Sequence, residues 1–328
     1  MVSDNAKEGD WKGTHRQLDI TVLMGGPSDE REVSIMSGRA IAGALEEVGH
    51  RVTRADILPK DTSALDRPGI DVVFIALHGD FGESGQVQEL CEQRGLRYVG
   101  SSPRASELAL DKAAAKQVFK QSGLATPDWM IIEEFHKPGA RKAWLTEIPV
   151  PVVVKPVTGG SSIDISIARD EAARDEAIEE LLDKNGRAMV ERFVSGREFT
   201  VGILGDKPLP VLEVVPAREF YDYIAKYEDD SGTEYVFDHG LEPELTKRIQ
   251  DEALIAHNCL RCRDLSRVDF VLNGQQLPEV LEINTIPGFT SHSLVPKAAQ
   301  KAGIGFERLV DALVAMALTH EVTCRNPT

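Results

Sequence analysis

Apolar positions follow two rhythms along this chain. Residues 20–24 form a nearly unbroken apolar run, Gly25-Gly26-Pro27-Ser28 turns the chain, and apolar residues then recur at helical spacing over 33–48. A second continuous run over 72–77 ends at His78-Gly79. Continuous rather than alternating hydrophobicity marks a strand covered on both faces, as in a parallel sheet. A short strand over 96–102 and Pro103 close this segment. Strand, helix and strand in this order predict a parallel α/β domain, whose ligands lie beyond the carboxyl ends of the strands, where Gly25-Gly26 and His78 fall.

Beyond residue 105 the rhythm changes. A helix is predicted over 105–122, strands over 129–132 and 150–155, and a charged amphipathic helix over 169–184. Strands over 188–193, 198–204 and 210–215 follow, then a helix over 242–259, strands over 267–272 and 279–284, and a closing helix over 306–319. This strand-rich α+β order differs from the opening domain. Residues 1–18 are polar and without period, and are read as a disordered tail.

Composition narrows the function. The 328 residues carry 37 Lys+Arg against 53 Asp+Glu, a net charge of −16. A general nucleic-acid surface needs a basic face, so that class is excluded, although local basic pockets are not. Cysteines at 91, 259, 262 and 324 are too few and too irregular for a disulfide framework. No apolar run approaches the ~20 residues of a membrane span, and no early stretch combines a basic start, an apolar run and a small-residue cleavage site. The expected location is the cytoplasm. His257-x-Cys259-x-x-Cys262 offers too few ligands for zinc and reads as core.

Two constellations carry chemistry. In residues 267–271 and 280–284, side chains alternate, so Arg267 and Asp269 share one face, as do Glu282 and Asn284. Asn273-Gly274 in the short connection favours an antiparallel hairpin. Two carboxylates, a carboxamide and a guanidinium would then converge, which suits Mg²⁺, although a salt-bridged sheet face is the plain alternative. The second constellation is Lys155-Pro156 followed by Thr158-Gly159-Gly160-Ser161-Ser162. Free N–H and hydroxyl donors there suit phosphate, or a mobile surface turn. The lysine precedes the glycines, so this is no Walker loop, and Gly25-Gly26 lacks the G-x-G-x-x-G of a nicotinamide site.

These motifs occur in a fixed order. His78-Gly79 with Gly82-Glu83, Leu110-Asp111-Lys112, Val154-Lys155-Pro156, Gly160-Ser161-Ser162, Ala225-Lys226-Tyr227, Arg267-Val268-Asp269 and the run from Glu282 to Leu294 resemble the D-alanine–D-alanine ligases over residues 19–320. The resemblance implies a Rossmann-like parallel α/β domain over 19–105, then an ATP-grasp fold with a central subdomain over 106–190 and a C-terminal catalytic subdomain over 191–328. It implies an ATP-dependent carboxylate–amine ligase that joins two D-alanines through a D-alanyl phosphate, for peptidoglycan synthesis.

Site roles follow from the same resemblance. ATP would be held by Lys112, Lys155, Ser161, Ser162, Glu191, Phe193, Val194, Glu198 and Lys226, with Glu191 and Glu198 on adenine and ribose. Asp269, Glu282 and Asn284 would bind Mg²⁺ or Mn²⁺. Arg267 and the Gly288 N–H would stabilise charge on the reacting centre. Glu30 would pair with the first D-alanine's ammonium, with His78 lining that pocket, while Ser293 and Leu294 would receive the second carboxylate. Glu30, Ser161 and Tyr227 would form a hydrogen-bonded link across a closed lid. D-Alanine is the expected small-molecule partner and a homodimer the expected assembly.

Asp164 stands where the family usually has glycine, and a left-handed backbone there would be costly. Ser84 stands where the family commonly has Asp. The rival readings are a depsipeptide ligase using D-lactate, another ATP-grasp carboxylate–amine ligase, or a nucleotide-binding protein without turnover. Retention of Arg267, Asp269, Glu282 and Asn284 together argues against the last.

Overall fold

The computed structural model describes residues 13–136, 144–160, 163–216, 232–290 and 292–321. The opening segment forms a parallel sheet of β1 (Asp19–Met24), β2 (Arg51–Asp56), β3 (Val72–Ile75) and β4 (Tyr98–Val99), in the order β2-β1-β3-β4. Helix α1 (Arg31–Glu47) buries Ile41 and Leu45 against one face. On the other, Leu23, Val73 and Ile75 meet Phe81 of the short α2 (Asp80–Glu83) and Val87 and Cys91 of α3 (Gln86–Gln93). With both faces covered, β1 and β3 need the continuous apolar runs that the sequence supplies.

Helices α4 (Pro103–Leu110) and α5 (Lys112–Gln121) follow, capped by the side chains of Ser102 and Asp111. A four-stranded antiparallel sheet comes next: β5 (Trp129–Glu133), β6 (Val152–Lys155), β7 (Ser166–Ala168) and β8 (Arg187–Arg192), in the order β5-β8-β6-β7. Helix α6 (Glu171–Asn185) packs Ile178, Leu181 and Leu182 onto it. Asp170 caps its start and Gly186, at φ +68°, ends it.

The third sheet is antiparallel: β9 (Gly196–Leu204), β10 (Lys207–Pro208), β11 (Leu212–Val215), β12 (Glu234–Val236), β13 (Leu265–Asn273) and β14 (Pro278–Asn284). Its order is β12-β11-β9-β13-β14, with β10 on β9. Helix α7 (Pro243–Cys259) covers it through Ile249, Ala253 and Ala256. The His257 ring bonds to Ser266 Oγ at 2.7 Å, and burial pushes its pKa down to about 4, so it stays neutral inside the core. The chain closes with α8 (Leu294–Lys301) and α9 (Phe306–Leu318).

Three features depart from the sequence expectation. Residues 13–18 are not loose: the Thr14 N–H and hydroxyl donate to Asp311 at 3.0 and 2.8 Å, and Leu18 is fully buried with its N–H on His50 Nδ1. A polar segment lacks period because it is tied down by side chains rather than by a packed face. Helices α4 and α5, sequentially before the central sheet, share a core with Phe199, Phe270 and Val280 of the third sheet through Ala109, Ala115 and Phe119. Helix α9 returns to the first sheet, where Leu309, Val310, Leu313 and Val314 join Ile20, Val22 and Phe74.

Asp164 occupies φ +57°, and its carboxylate holds Lys184 Nζ at 2.7 Å. That conformation costs most residues roughly 1–2 kcal/mol, less for Asp and nothing for Gly. Asp164→Ala is expected to lower stability by about 1 kcal/mol in urea unfolding, whereas Asp164→Gly stays within about 0.5 kcal/mol because the exposed ion pair is worth little. Equal losses in both variants would show that the backbone is not what matters there.

Candidate active site

The chemistry converges on the β13–β14 hairpin. In its register Arg267 faces Asn284 and Asp269 faces Glu282, so all four side chains share one sheet face. A bulge after Asp269 then re-aims the strand. Arg267 grips the Asp269 carboxylate, with Nε at 3.0 Å from Oδ1 and Nη2 at 2.8 Å from Oδ2, and Thr200 Oγ1 of β9 adds a bond of 2.7 Å. Lys112 Nζ lies 3.8 Å from Glu282 Oε2. The donor set of Asp269, Glu282 and Asn284 is all oxygen, which fits a hard dication that completes its shell with phosphate and water.

Two cavities open from this face and share Glu282 and Leu294. The first is a small cleft lined by Glu30, His78, Lys112, Arg267, Asn284, Gly288 and Ser293. Glu30 enters at the start of α1, at the carboxyl end of β1. The turn beneath it needs glycine at position 79, since φ is +77° and a Cβ would lie 2.6 Å from Ser28 Cβ. Gly288 is equally confined, with Ser293 Oγ 2.8 Å from where a Cβ would stand. Ser37 of α1 accepts the Phe289 N–H at 3.1 Å and so pins this loop to the first domain. Lys112, at the N-terminus of α5, donates to the Gly159 carbonyl at 2.5 Å and holds the glycine loop over the cleft.

The second cavity, about 390 Å³, lies between the central and C-terminal sheets. Its walls include Lys155, Glu191, Phe193, Val194, Glu198 and Asp269. Lys155 Nζ donates to Glu191 Oε1 at 2.8 Å, and Lys116 Nζ stands 2.5 Å from Oε2. Burial pushes the Glu191 carboxyl up, but Lys155 and Lys116 together outweigh it and leave the pKa below the ordinary value. A cavity of this size between two sheets, lined by apolar side chains together with charged groups, is the form that a nucleotide pocket takes.

Every described residue to which the resemblance gave a site role lines one of these two cavities, whereas Gly25, Gly26 and Thr158 line neither. Ser161, Ser162, Lys226 and Tyr227 lie outside the described residues. The sequence reading gave no role to Glu83 or Lys116. Glu83 is buried in the first cleft, 3.7 Å from His78 Nδ1. Burial pushes its carboxyl up, His78 opposes this, and the Glu30 charge adds to it. Among the described residues His78 Nε2 has no hydrogen-bond partner, which leaves it available at the cleft wall. The available signal for Glu83 was its place in the His78-Gly79…Gly82-Glu83 motif.

A parallel α/β domain followed by two antiparallel sheets that enclose a lysine-bearing cavity defines the ATP-grasp class of ATP-dependent ligases. The family profiles agree: "D-ala D-ala ligase N-terminus" matches residues 55–101 and "D-ala D-ala ligase C-terminus" residues 118–315. The curated D-alanine–D-alanine ligase of Gloeobacter violaceus is 41% identical over 302 residues, 92% of this chain and 100% of that protein. The ATP complex of the Bacillus anthracis D-alanine–D-alanine ligase is 31% identical, with TM-score 0.81 over 92% of this chain and 97% of that one. The VanG D-Ala:D-Ser ligase of Enterococcus faecalis is 26% identical, with TM-score 0.82 over 92% of this chain and 100% of that one. The chain belongs to the D-alanine–D-alanine ligase family and is an ATP-dependent ligase.

Proposed function

We propose that this ligase makes D-alanyl-D-alanine in two steps across the shared hairpin face. The observation that carries the reading is the β13–β14 register, which sets Arg267, Asp269, Glu282 and Asn284 where the two cavities meet. ATP occupies the larger cavity, with adenine beside Phe193 and Val194, its polar edge on Glu191, ribose on Glu198, and phosphates toward Lys155 and Lys112. Ser161, Ser162 and Lys226 complete the phosphate contacts. Asp269, Glu282 and Asn284 would hold Mg²⁺ or Mn²⁺, which when bound would supply charge neutralisation for the transferred phosphoryl group.

The first D-alanine lies in the small cleft, its ammonium on Glu30 and its carboxylate aimed at the γ-phosphate. A carboxylate oxygen attacks phosphorus, ADP leaves, and the acyl phosphate becomes a competent acyl donor. The second D-alanine docks its carboxylate on Ser293 and the first amides of α8, where the helix dipole favours an anion. Its amine adds to the acyl carbon, and the oxyanion forms against Arg267 and the Gly288 N–H. The intermediate then collapses with cleavage of the bond from the acyl carbon to the phosphate oxygen, and the surplus proton on nitrogen leaves with phosphate or to water. His78 and Glu83 form the back of the first subsite, and Tyr227 with Ser161 and Glu30 latches the lid over it. The proposed location is the cytoplasm, where ATP is supplied; among the described residues no helix is long and apolar enough to cross a membrane. A homodimer is the proposed assembly.

The acceptor is the point on which relatives divide. Lys226-Tyr227 resembles the dipeptide-forming branch, and the neutral phenol, with an unperturbed pKa of about 10, closes the lid without adding charge. Equimolar D-alanine, D-serine and D-lactate supplied with ATP at pH 7–8 are expected to give D-alanyl-D-alanine as the main product by mass. A depsipeptide or D-alanyl-D-serine majority would overturn the acceptor assignment while leaving the ATP-grasp chemistry in place.

A further inference from the structure

Lys116 belongs to neither constellation in the sequence, yet it is 0% exposed. It lies one helical turn after Lys112 on α5, but it lines neither cavity. Its ammonium stands 2.5 Å from Glu191 Oε2, donates to Thr126 Oγ1 at 2.5 Å, and reaches the Pro127 carbonyl at 3.4 Å. The Thr126 hydroxyl passes the chain on to the Val280 carbonyl at 2.7 Å. The ammonium thus donates to Thr126 and Pro127 and stands in ion-pair contact with Glu191, where α5, the linker after it, β8 and β14 meet.

Glu191 is shared between two lysines of different kinds. Lys116 is fixed in the core, whereas Lys155 lines the cavity and holds the other carboxylate oxygen at 2.8 Å. A lysine turning to a phosphate must loosen its hold on Glu191. A carboxylate only 2% exposed cannot remain ionised without a counter-charge, because desolvation penalises the bare anion heavily.

We propose that Lys116 is a positioning residue for nucleotide binding: it is the fixed counter-charge that keeps Glu191 ionised and oriented when Lys155 turns from Glu191 to the nucleotide phosphates. This rests on the reading that the larger cavity holds ATP. Burial pushes the Lys116 pKa down to about 8 and the Glu191 charge opposes that fall, so the pair is ionised at neutral pH. Lys116 acts only through Glu191 and touches no ligand.

The test is a double-mutant cycle on the full-length enzyme, read by calorimetric titration with a non-hydrolysable ATP analogue and by steady-state kinetics. Lys116→Gln keeps a donor for Thr126 but removes the charge. It is expected to weaken analogue binding and raise the KM for ATP roughly tenfold or more, with the KM for D-alanine nearly unchanged. In the Glu191→Gln background the same substitution is expected to add nothing. Wild-type affinity in Lys116→Gln, an undiminished effect in the Glu191→Gln background, or equal loss in every kinetic parameter would overturn the proposal. If Glu191→Gln alone leaves ATP affinity intact, the nucleotide reading of the cavity fails, and this inference with it. Lys116→Met is the second variant should the amide not be accepted by the core. Loss of folding in both would assign Lys116 a purely structural role and reject the proposal.

Discussion

Glu282→Gln is expected to lower turnover roughly a hundredfold or more while leaving the fold intact. Glu282 is a wall of both cavities and pairs across the hairpin with Asp269. The amide is isosteric, and the side chain is 28% exposed, so the sheet does not depend on its charge. What is lost is one of two anionic oxygen donors on the hairpin face, and a hard dication loses affinity steeply with ligand charge. Lys112, 3.8 Å away, also loses the charge that orients it. The Mg²⁺ concentration giving half-maximal activity should rise, and saturating Mg²⁺ should recover part of the rate. A titration of Mg²⁺ at saturating ATP checks both, and near-wild-type turnover at low Mg²⁺ would remove the metal assignment.

Arg267→Lys is expected to reduce kcat about 10²–10³-fold with smaller changes in the KM values. The guanidinium spans the Asp269 carboxylate with Nε and Nη2. That fork fixes the plane of the guanidinium at the wall of the cleft, whereas an ammonium on a flexible stem does not. Charge gathers on the phosphoryl oxygens and on the tetrahedral carbon only as reaction proceeds, so the loss should fall on turnover rather than binding. Rapid-quench and steady-state measurements separate these. Unchanged kcat with a raised KM for ATP would make Arg267 a ground-state binding residue instead.

Much of this architecture was legible because its signals are local. The apolar runs of β1 and β3, the glycine turn before α1, and alternation in β13 and β14 each follow from a few neighbouring residues. Strand β2 was missed because Arg51-Val52-Thr53-Arg54-Ala55-Asp56 is the charged edge of its sheet, with only Ala55 buried. Helices α3 and α8, eight residues each, carry too few turns for a period to stand out. The return of α9 to the first sheet and the pairing of α5 with the third sheet are long-range contacts that no window in the sequence contains.

The site divides the same way. Arg267, Asp269, Glu282 and Asn284 could be grouped from strand periodicity alone, since two strands joined by a short turn leave little choice of register. Lys155 with the glycine-serine loop suggested phosphate on its own chemistry, and His78 fell at the carboxyl end of a strand; the remaining site residues were supplied by family resemblance, because Glu30, Glu191 and Ser293 come from elements far apart in the chain. Lys116 could not be found either way: a lysine on an amphipathic helix rich in lysine and alanine reads as a solvated face. Only its burial against Glu191, 75 positions later, reveals its place.

The most direct test of the central claim is the stoichiometry of the reaction. Purified enzyme with ATP, Mg²⁺ and D-alanine should yield ADP, phosphate and D-alanyl-D-alanine in equal amounts, with no turnover when D-alanine is omitted. Release of AMP and pyrophosphate, or ATP hydrolysis without dipeptide, would contradict attack by a carboxylate on the γ-phosphate at the face shared by the two cavities.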